Sequence, residues 1–170
     1  VTPAHALRGV GRHLQDHLQS RLMLKLKLPI SLNDLTRGPW RKLLIGMNYV
    51  FRRQGVLAFG ASLAGGFGRT RLASDRPDVQ FHFQPLSLDS YDGGLHPFPG
   101  ATISACQLRP QSEGTIFITS PDPLARPAIR PNYLSTELDR QTMIEGFRFA
   151  RRIAAAPRLA EIVAEEHRPG

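Results

Sequence analysis

Alternation of apolar and polar residues predicts two strongly patterned β-strands. Leucine occupies every second position from Leu22 to Leu28, which is the pattern of a strand with one buried face and puts Lys25 on the other face. Residues 79–84 alternate in the same way and put His82 between two glutamines on a polar face. Residues 101–109 and 115–120 predict two shorter strands joined by a hairpin.

Helical spacing of apolar residues predicts the other main elements. Residues 39–52 carry Trp40 and five further apolar side chains at helical spacing, which predicts a core-facing helix with Trp40 as a packing residue. A second helix is predicted over 137–156 and a short last helix over about 159–163. This order of elements favours an α+β fold, an antiparallel sheet of about six strands with helices packed on one side, over a doubly wound parallel sheet.

Length and composition narrow the class of protein. A chain of 170 residues predicts a single domain, residues 1–170, that is large enough to bury a core. No apolar run is long enough to span a bilayer. The single cysteine, Cys106, excludes an internal disulfide framework and a cysteine-cluster metal site, and we expect it to be buried. We predict no metal site.

The net charge of +8 raises the alternative of a basic module that binds nucleic acid or an acidic partner. The arginines are scattered along the chain, however, and no zinc-finger spacing, ribonucleoprotein motif or basic tail is present. A solvated basic face, or one that docks on an acidic partner, is the more economical interpretation, and nucleic-acid binding is not expected.

Two glycine-rich stretches are candidates for special backbone roles. Residues 60–68 lack both the Gly-Lys-Ser/Thr ending of a P-loop and the Gly-x-Gly-x-x-Gly spacing, so a loop leading into a short strand is favoured over a phosphate site. Residues 9–17 read Gly-Val-Gly-Arg-His-Leu-Gln-Asp-His. From spacing alone, this second stretch is either a glycine turn whose polar side chains satisfy one another or a junction between structural parts.

Residues 9–17 resemble the Gly-Val-Gly-x-Asn-Leu-Gln-Asp-His signature of the glucose–methanol–choline (GMC) flavoprotein oxidoreductases, with His13 in place of the usual asparagine. Later stretches resemble the same family and occur in family order: residues 77–83, 96–100, 108–114, 122–123, 129–134 and 150–153. The resemblance therefore covers nearly the whole chain.

The resemblance implies the substrate-binding, or cap, domain of an FAD-dependent alcohol dehydrogenase or oxidase. It also implies that the FAD-binding dinucleotide fold precedes Val1 and that the segment with the catalytic histidine follows Gly170. On this basis we expect no catalytic residue within the chain, no FAD binding by the chain alone, and no activity of this piece alone. The resemblance further implies that Gly9, Gly11, Asp16 and His17 mark the junction to the flavin-binding part, near the flavin, and that Asp16 and His17 have a clamping role there rather than a catalytic one.

The resemblance also indicates a substrate pocket. The histidine of the matching stretch lies near the substrate hydroxyl in choline-oxidising relatives, which makes His82 the candidate for orienting the alcohol; the alternative is a cross-strand hydrogen bond on a polar sheet face. Leu88 is predicted to form an apolar wall. Choline enzymes carry a glutamate after the residue 9–17 motif, but residues 18–33 contain no acidic residue. Lys25 lies there instead, either as a pocket cation that would repel choline or as an exposed strand lysine.

The expected partners are the FAD-binding domain of the same parent protein and a small, neutral or acidic alcohol that is not choline. Surfaces that face the flavin-binding part are expected to self-associate where they are exposed. The expected location is cytoplasmic or peripheral to a membrane.

Overall fold

Two antiparallel sheets carry the architecture of the chain. The computed structural model describes residue 5, residues 7–90 and residues 92–170. One sheet has five strands in the order β3-β4-β5-β2-β8, and the other has three in the order β1-β6-β7. The strands are β1 Arg12–Leu14, β2 Gln19–Leu26, β3 Ala64–Gly68, β4 Val79–Gln84, β5 Gly100–Gln107, β6 Gly114–Phe117, β7 Ala128–Arg130 and β8 Val163–Arg168.

The described helices are two long and two short ones. They are α1 Leu32–Leu35, α2 Pro39–Arg52, α3 Glu137–Ala154 and α4 Pro157–Ala160, with a 3-10 turn at Val56–Ala58 after α2. Within the described ranges, no helix is both long enough and apolar enough to cross a bilayer. The predicted α+β class with antiparallel pairing is confirmed, whereas the strands divide between two sheets instead of forming one sheet of about six. The single-domain prediction for 1–170 includes residues 1–4, 6 and 91, which lie outside the described part.

The core lies between the five-stranded sheet and α3. Leu22 and Leu24 of β2 are 0% and 2% exposed, as the leucine alternation predicts. They cluster with Phe81, Ile103 and Ala150, and Ala150 is the point at which α3 approaches the sheet. Cys106 is also buried, on the other face of the central strand β5. The strong patterns of β2, β4 and α3 therefore identify the core correctly.

Helix α2 differs most from its prediction. Its boundaries agree with the sequence pattern, but none of its residues is buried, and Trp40 is 75% exposed. The prediction of a core-facing helix with Trp40 as a packing residue is wrong. Helical spacing of apolar residues predicts that one side of the helix is apolar, but it does not predict which surface, if any, covers that side.

Two connections were also predicted wrongly. β5 and β6 do not form a hairpin, because β6 pairs with β1 and β7 in the other sheet. The chain ends in strand β8, which pairs with β2, where a helix was expected to include Val163. The helix stops at Ala160, and the strand residues 163–168, Val-Ala-Glu-Glu-His-Arg, carry no clean period of two from which a strand could be recognised.

Candidate functional site

The five-stranded sheet has a polar face on the side away from α3. Successive residues of a strand point to opposite faces of the sheet, and residues paired across two strands point to the same face. The residues that alternate with the core residues therefore form one surface. We call this surface the polar face; it comprises Arg21 and Lys25 of β2, Gln80, His82 and Gln84 of β4, and Thr102 and Ser104 of β5.

His82 lies near the middle of the polar face. It is half-buried and stands opposite Gly65 on β3 and Ser104 on β5, and Ser104 in turn stands opposite Arg21 on β2. Within the described residues no hydrogen bond involves the His82 ring, so the cross-strand hydrogen bond considered from the sequence is not formed there. Both ring nitrogens are therefore accessible to a molecule that approaches this face.

Lys25 lies at one end of the polar face and has a partner of its own. Its Nζ is 3.2 Å from the Oε1 of Glu165 on β8 and 5.7 Å from the centre of the Phe98 ring. Two strand spacings and four residues of rise separate it from His82, which is roughly 16 Å. Lys25 and His82 therefore do not contact the same small molecule, and the charge of Lys25 is largely offset by Glu165.

Leu88 belongs to the segment that follows β4 and is half-buried. This segment is fixed by Asn33 of α1, whose Oδ1 accepts the Ser87 amide at 3.0 Å and whose Nδ2 donates to the Ser87 carbonyl at 3.0 Å. The hydroxyl of Thr102 donates to the Leu86 carbonyl at 2.8 Å, so the segment covers the end of the polar face that also carries Lys25. The role of Leu88 as a pocket wall stays a prediction.

The glycines of residues 9–17 form a turn against β6. The Arg12 amide donates to the Gly9 carbonyl at 3.1 Å, and the Ile116 amide donates to the Gly11 carbonyl at 2.8 Å. Gly11 has φ +78°, and a Cβ there would lie 2.3 Å from the Ile116 carbonyl oxygen, so only glycine fits. His13 also has a positive φ, 57°, which explains why asparagine suits this position in the resembling signature.

Asp16 and His17 contact residues far along the chain. The Tyr133 hydroxyl donates to Asp16, and this bond, followed by that from the His17 amide, lowers the pKa of Asp16 below its ordinary value. The same hydroxyl bond raises the pKa of Tyr133. His17 Nε2 lies 3.2 Å from the Leu108 carbonyl, to which the ring N–H donates. These contacts join the motif to the rest of the chain; its proximity to a flavin stays a prediction.

A second polar cluster, around Asp139 of α3, was not predicted from the sequence. The buried carboxylate of Asp139, at the start of α3, accepts the Gln111 amide at 2.9 Å, the Ser112 amide at 2.7 Å and the Gln107 side chain at 2.7 Å. It also accepts the Ser112 hydroxyl. The sequence feature that could have located this cluster is the helix-capping pattern Thr136-x-x-Asp139. In the structure the Thr136 hydroxyl accepts a hydrogen bond from the Asp139 amide at 3.2 Å. These hydrogen bonds fix the segment between β5 and β6 against the start of α3. β6, which follows this segment, belongs to the other sheet.

The residue 60–68 stretch does not fit the phosphates of FAD. Gly65 and Gly66 belong to the edge strand β3 and lie extended beside β4, so they form part of a sheet and not the tight turn into a helix by which glycine-rich loops bind phosphates. No group of three or more histidine, cysteine or acidic side chains placed to hold a metal occurs in the described part of the chain. The polar face offers hydrogen bonding by imidazole, hydroxyl and carboxamide groups, together with the two cations Arg21 and Lys25.

Comparison with known proteins relates the chain to one family. Residues 110–170 match the family described as GMC oxidoreductase. The alcohol dehydrogenase [acceptor] of Pseudomonas putida is 36% identical over 175 residues, covering 100% of this chain and 31% of the relative. The oxygen-dependent choline dehydrogenase of Proteus mirabilis (strain HI4320) is 36% identical over 170 residues, covering 100% of this chain and 30% of the relative.

A solved structure of formate oxidase shares the fold, with a TM-score of 0.80 at 22% sequence identity over 95% of this chain and 33% of that one. The chain thus spans about a third of the length of the proteins it matches. Oxidoreductases of this family are FAD-dependent. The chain, which is partial relative to these proteins, matches the GMC oxidoreductase family over residues 110–170 and aligns along its whole length with the two dehydrogenases.

Proposed function

We propose that this chain forms the substrate-binding part of an FAD-dependent oxidoreductase that oxidises a neutral primary alcohol. The observation that carries the proposal is His82, whose ring lies on the polar face with no hydrogen-bonding partner among the described residues. Alignment of the whole chain with an alcohol dehydrogenase supports the substrate class. FAD, when bound to the parent protein, would supply the hydride acceptor for such an oxidation.

The contribution of the chain in this proposal is orientation of the alcohol. An imidazole donates or accepts a hydrogen bond at a substrate oxygen, and the Ser104 hydroxyl on the adjacent strand is a second group of either polarity. Holding the hydroxyl group in one place favours the geometry in which the alcohol carbon faces the acceptor. His82 is thus a positioning residue in this proposal.

The substrate class follows from charge. Residues 18–33 contain no carboxylate that would pair with a trimethylammonium group, and the cation in the same cross-strand row as His82 is Arg21, about 10 Å away across two strands. Lys25, which is paired with Glu165, contributes little net charge. A neutral alcohol, or one with an acidic group within reach of Arg21, fits this face better than choline does.

The test uses the longer protein that contains this chain, reconstituted with FAD, and anaerobic stopped-flow reduction of the flavin by a primary alcohol. We expect His82→Ala to lower the limiting reduction rate by about 10- to 100-fold, and His82→Gln to restore part of it because a carboxamide also donates and accepts. His5→Ala, an exposed histidine outside both sheets and outside the residue 9–17 motif, is the matched control and should leave the rate unchanged. An unchanged rate in His82→Ala, or a change only in the apparent substrate affinity, would contradict the role of His82.

A second measurement addresses the place of the chain in its parent. Mixing the 170-residue chain with FAD should give no stoichiometric binding, since the glycine stretch of residues 60–68 lacks the Gly-x-Gly-x-x-Gly spacing and forms an edge strand of the sheet. A bound-flavin absorbance spectrum with one FAD per chain would contradict the proposed division between a substrate-binding part and a flavin-binding part.

A further inference from the structure

The apolar side of α2 faces solvent. At 100° per residue, six apolar side chains fall within a 120° arc of the helix. All six are at least 40% exposed, and the most exposed are Trp40 at 75% and Phe51 at 80%. We call this surface the α2 arc; it comprises Trp40, Leu43, Leu44, Met47, Val50 and Phe51.

Contacts with the rest of the chain come from the other side of the helix. Ile45, Asn48 and Tyr49 are the half-buried side chains there, and Asn48 Nδ2 donates to the Gln54 carbonyl at 2.9 Å. Near the start of the helix, Arg41 donates to the Asp34 carbonyl at 2.9 Å. An amphipathic helix on a globular protein normally buries its apolar side. In α2 the less apolar side is the attached one, so the arc projects outward.

The charges around the arc have one sign. Residues 37–53 contain no acidic residue, and basic side chains occur near both ends of the helix: Arg37, Arg41, Lys42, Arg52 and Arg53. A second copy of α2 would bring these cations against themselves, whereas an anionic surface complements them. Exposed apolar area with Trp and Phe, bordered by lysine and arginine, is the composition of helices that lie in the interface of an anionic bilayer.

We infer that the α2 arc docks on an anionic lipid surface. Trp40 and Phe51 enter the boundary between headgroups and acyl chains, and the basic side chains at the helix ends contact lipid phosphates. The helix lies on the membrane and does not cross it, since its 14 residues are fewer than a span requires. This inference does not depend on the proposed alcohol-oxidising function.

Trp40 is the only tryptophan of the chain, so its fluorescence reports directly on the arc. The test adds vesicles of phosphatidylcholine with phosphatidylglycerol, or of phosphatidylcholine alone, to the 170-residue chain and follows the emission shift and vesicle co-flotation. We expect a blue shift and co-flotation with the anionic vesicles. Val50→Ser/Phe51→Ser should weaken partitioning at least tenfold while leaving Trp40 in place as the probe.

The variants are chosen to keep the fold intact. Val50 and Phe51 are 61% and 80% exposed, so their loss removes no core contact. Ile118→Ser/Leu124→Ser removes two apolar groups that are even more exposed, at 84% and 89%, and that lie outside α2; this variant should partition within about twofold of wild type. Lys42→Gln/Arg52→Gln should weaken binding to anionic vesicles about fivefold for each charge removed.

Four outcomes would overturn the inference. Absence of a blue shift with anionic vesicles is one, and equal partitioning of wild type and Val50→Ser/Phe51→Ser is another. The third is a concentration-dependent dimer that Val50→Ser/Phe51→Ser converts to a monomer, with no vesicle binding, which would assign the arc to a second copy. A longer protein containing the chain is assayed in parallel, and failure of that protein to bind is a fourth outcome that would overturn the inference, because another of its parts would then cover the arc.

Discussion

Asp139→Asn is the substitution that most directly tests what holds the two sheets together. The carboxylate is 1% exposed and accepts hydrogen bonds on both oxygens: Oδ1 from the Gln107 side chain and the Gln111 amide, and Oδ2 from the Ser112 amide and hydroxyl. Replacing either oxygen by an amide nitrogen sets that nitrogen against at least one backbone N–H. The side chains of Gln107 and Ser112 can turn to adapt, but the backbone amides cannot.

The magnitude follows from those contacts. One buried backbone donor left without an acceptor costs about 1–3 kcal/mol, and hydrogen bonds to a charged acceptor, worth about 1.5–3 kcal/mol each, are replaced by weaker neutral ones. We expect Asp139→Asn to lower the free energy of unfolding by about 3 kcal/mol at neutral pH. Urea unfolding followed by circular dichroism measures this as a lower midpoint at constant slope. Asp122→Asn, at an exposed turn, is the matched control and should change it by less than about 0.5 kcal/mol.

The pH dependence of the same variant is a second constraint. Burial raises the pKa of Asp139, but the hydrogen bonds from Ser112, from the Gln111 and Ser112 amides and from Gln107 outweigh it, so the pKa lies below its ordinary value. The stabilisation by this carboxylate is therefore complete above the unfolded-state pKa of about 3.9 and is lost as the pH falls through the folded-state pKa. The difference in free energy of unfolding between wild type and Asp139→Asn should be constant from about pH 5 to 8 and should shrink below about pH 4. The reasoning would be refuted if Asp139→Asn lowered the free energy of unfolding by less than about 1 kcal/mol at neutral pH, or if the destabilisation relative to wild type grew in acid.

Two further substitutions test the backbone of the smaller sheet by the same unfolding assay. His13→Asn should raise the free energy of unfolding by about 0.5–1 kcal/mol, because asparagine tolerates the positive φ of 57° better; a loss would mean that the contact of His13 with Glu113 outweighs the backbone term. Gly114→Ala should lower it by about 1–3 kcal/mol, since the added Cβ would lie 2.0 Å from the Arg130 carbonyl oxygen. Its control is Gly46→Ala in α2, where nothing lies within 4 Å and a gain of about 0.5–1 kcal/mol is expected. Equal effects of the two glycine substitutions would show that β6 and β7 yield to the added methyl group.

Elements with a strong period were predicted from the sequence because the period itself determines what is buried. Leu22 and Leu24 identify the apolar face of β2, and Ala150 identifies the inner side of α3. The same reasoning failed for α2, whose spacing is as regular as that of α3. An amphipathic pattern requires a covering surface, but that surface need not belong to the same chain. The pattern of α2 was interpreted correctly as a helix and wrongly as part of the core.

The last strand was missed because its pairing is decided by residues far away in the chain. β8 carries acidic side chains at both Glu165 and Glu166, which contact Lys25 of β2 and Arg151 of α3 on different sides of the sheet. Such a strand shows no alternation of polarity, because both of its faces are polar. Its position becomes predictable only when the cations that it contacts are known, and these come from elements separated from it by as many as 140 residues.

The geometry of the candidate site could not be predicted from the sequence for the same reason. A motif shows where a residue lies along the chain, but the pairing register of the strands decides which side chains are neighbours in space. Lys25 and His82 each lie on a strand that the sequence predicts, with the correct face assigned to both. The pairing of β2 with β5 and of β5 with β4 then puts Arg21, and not Lys25, in the row of His82. A shift of that register by four residues would keep the leucines on the buried face and would replace Arg21 by Lys25 in the row of the imidazole. The burial pattern fixes the faces of the strands but leaves such shifts open, so the charge beside the proposed substrate hydroxyl depends on the pairing itself.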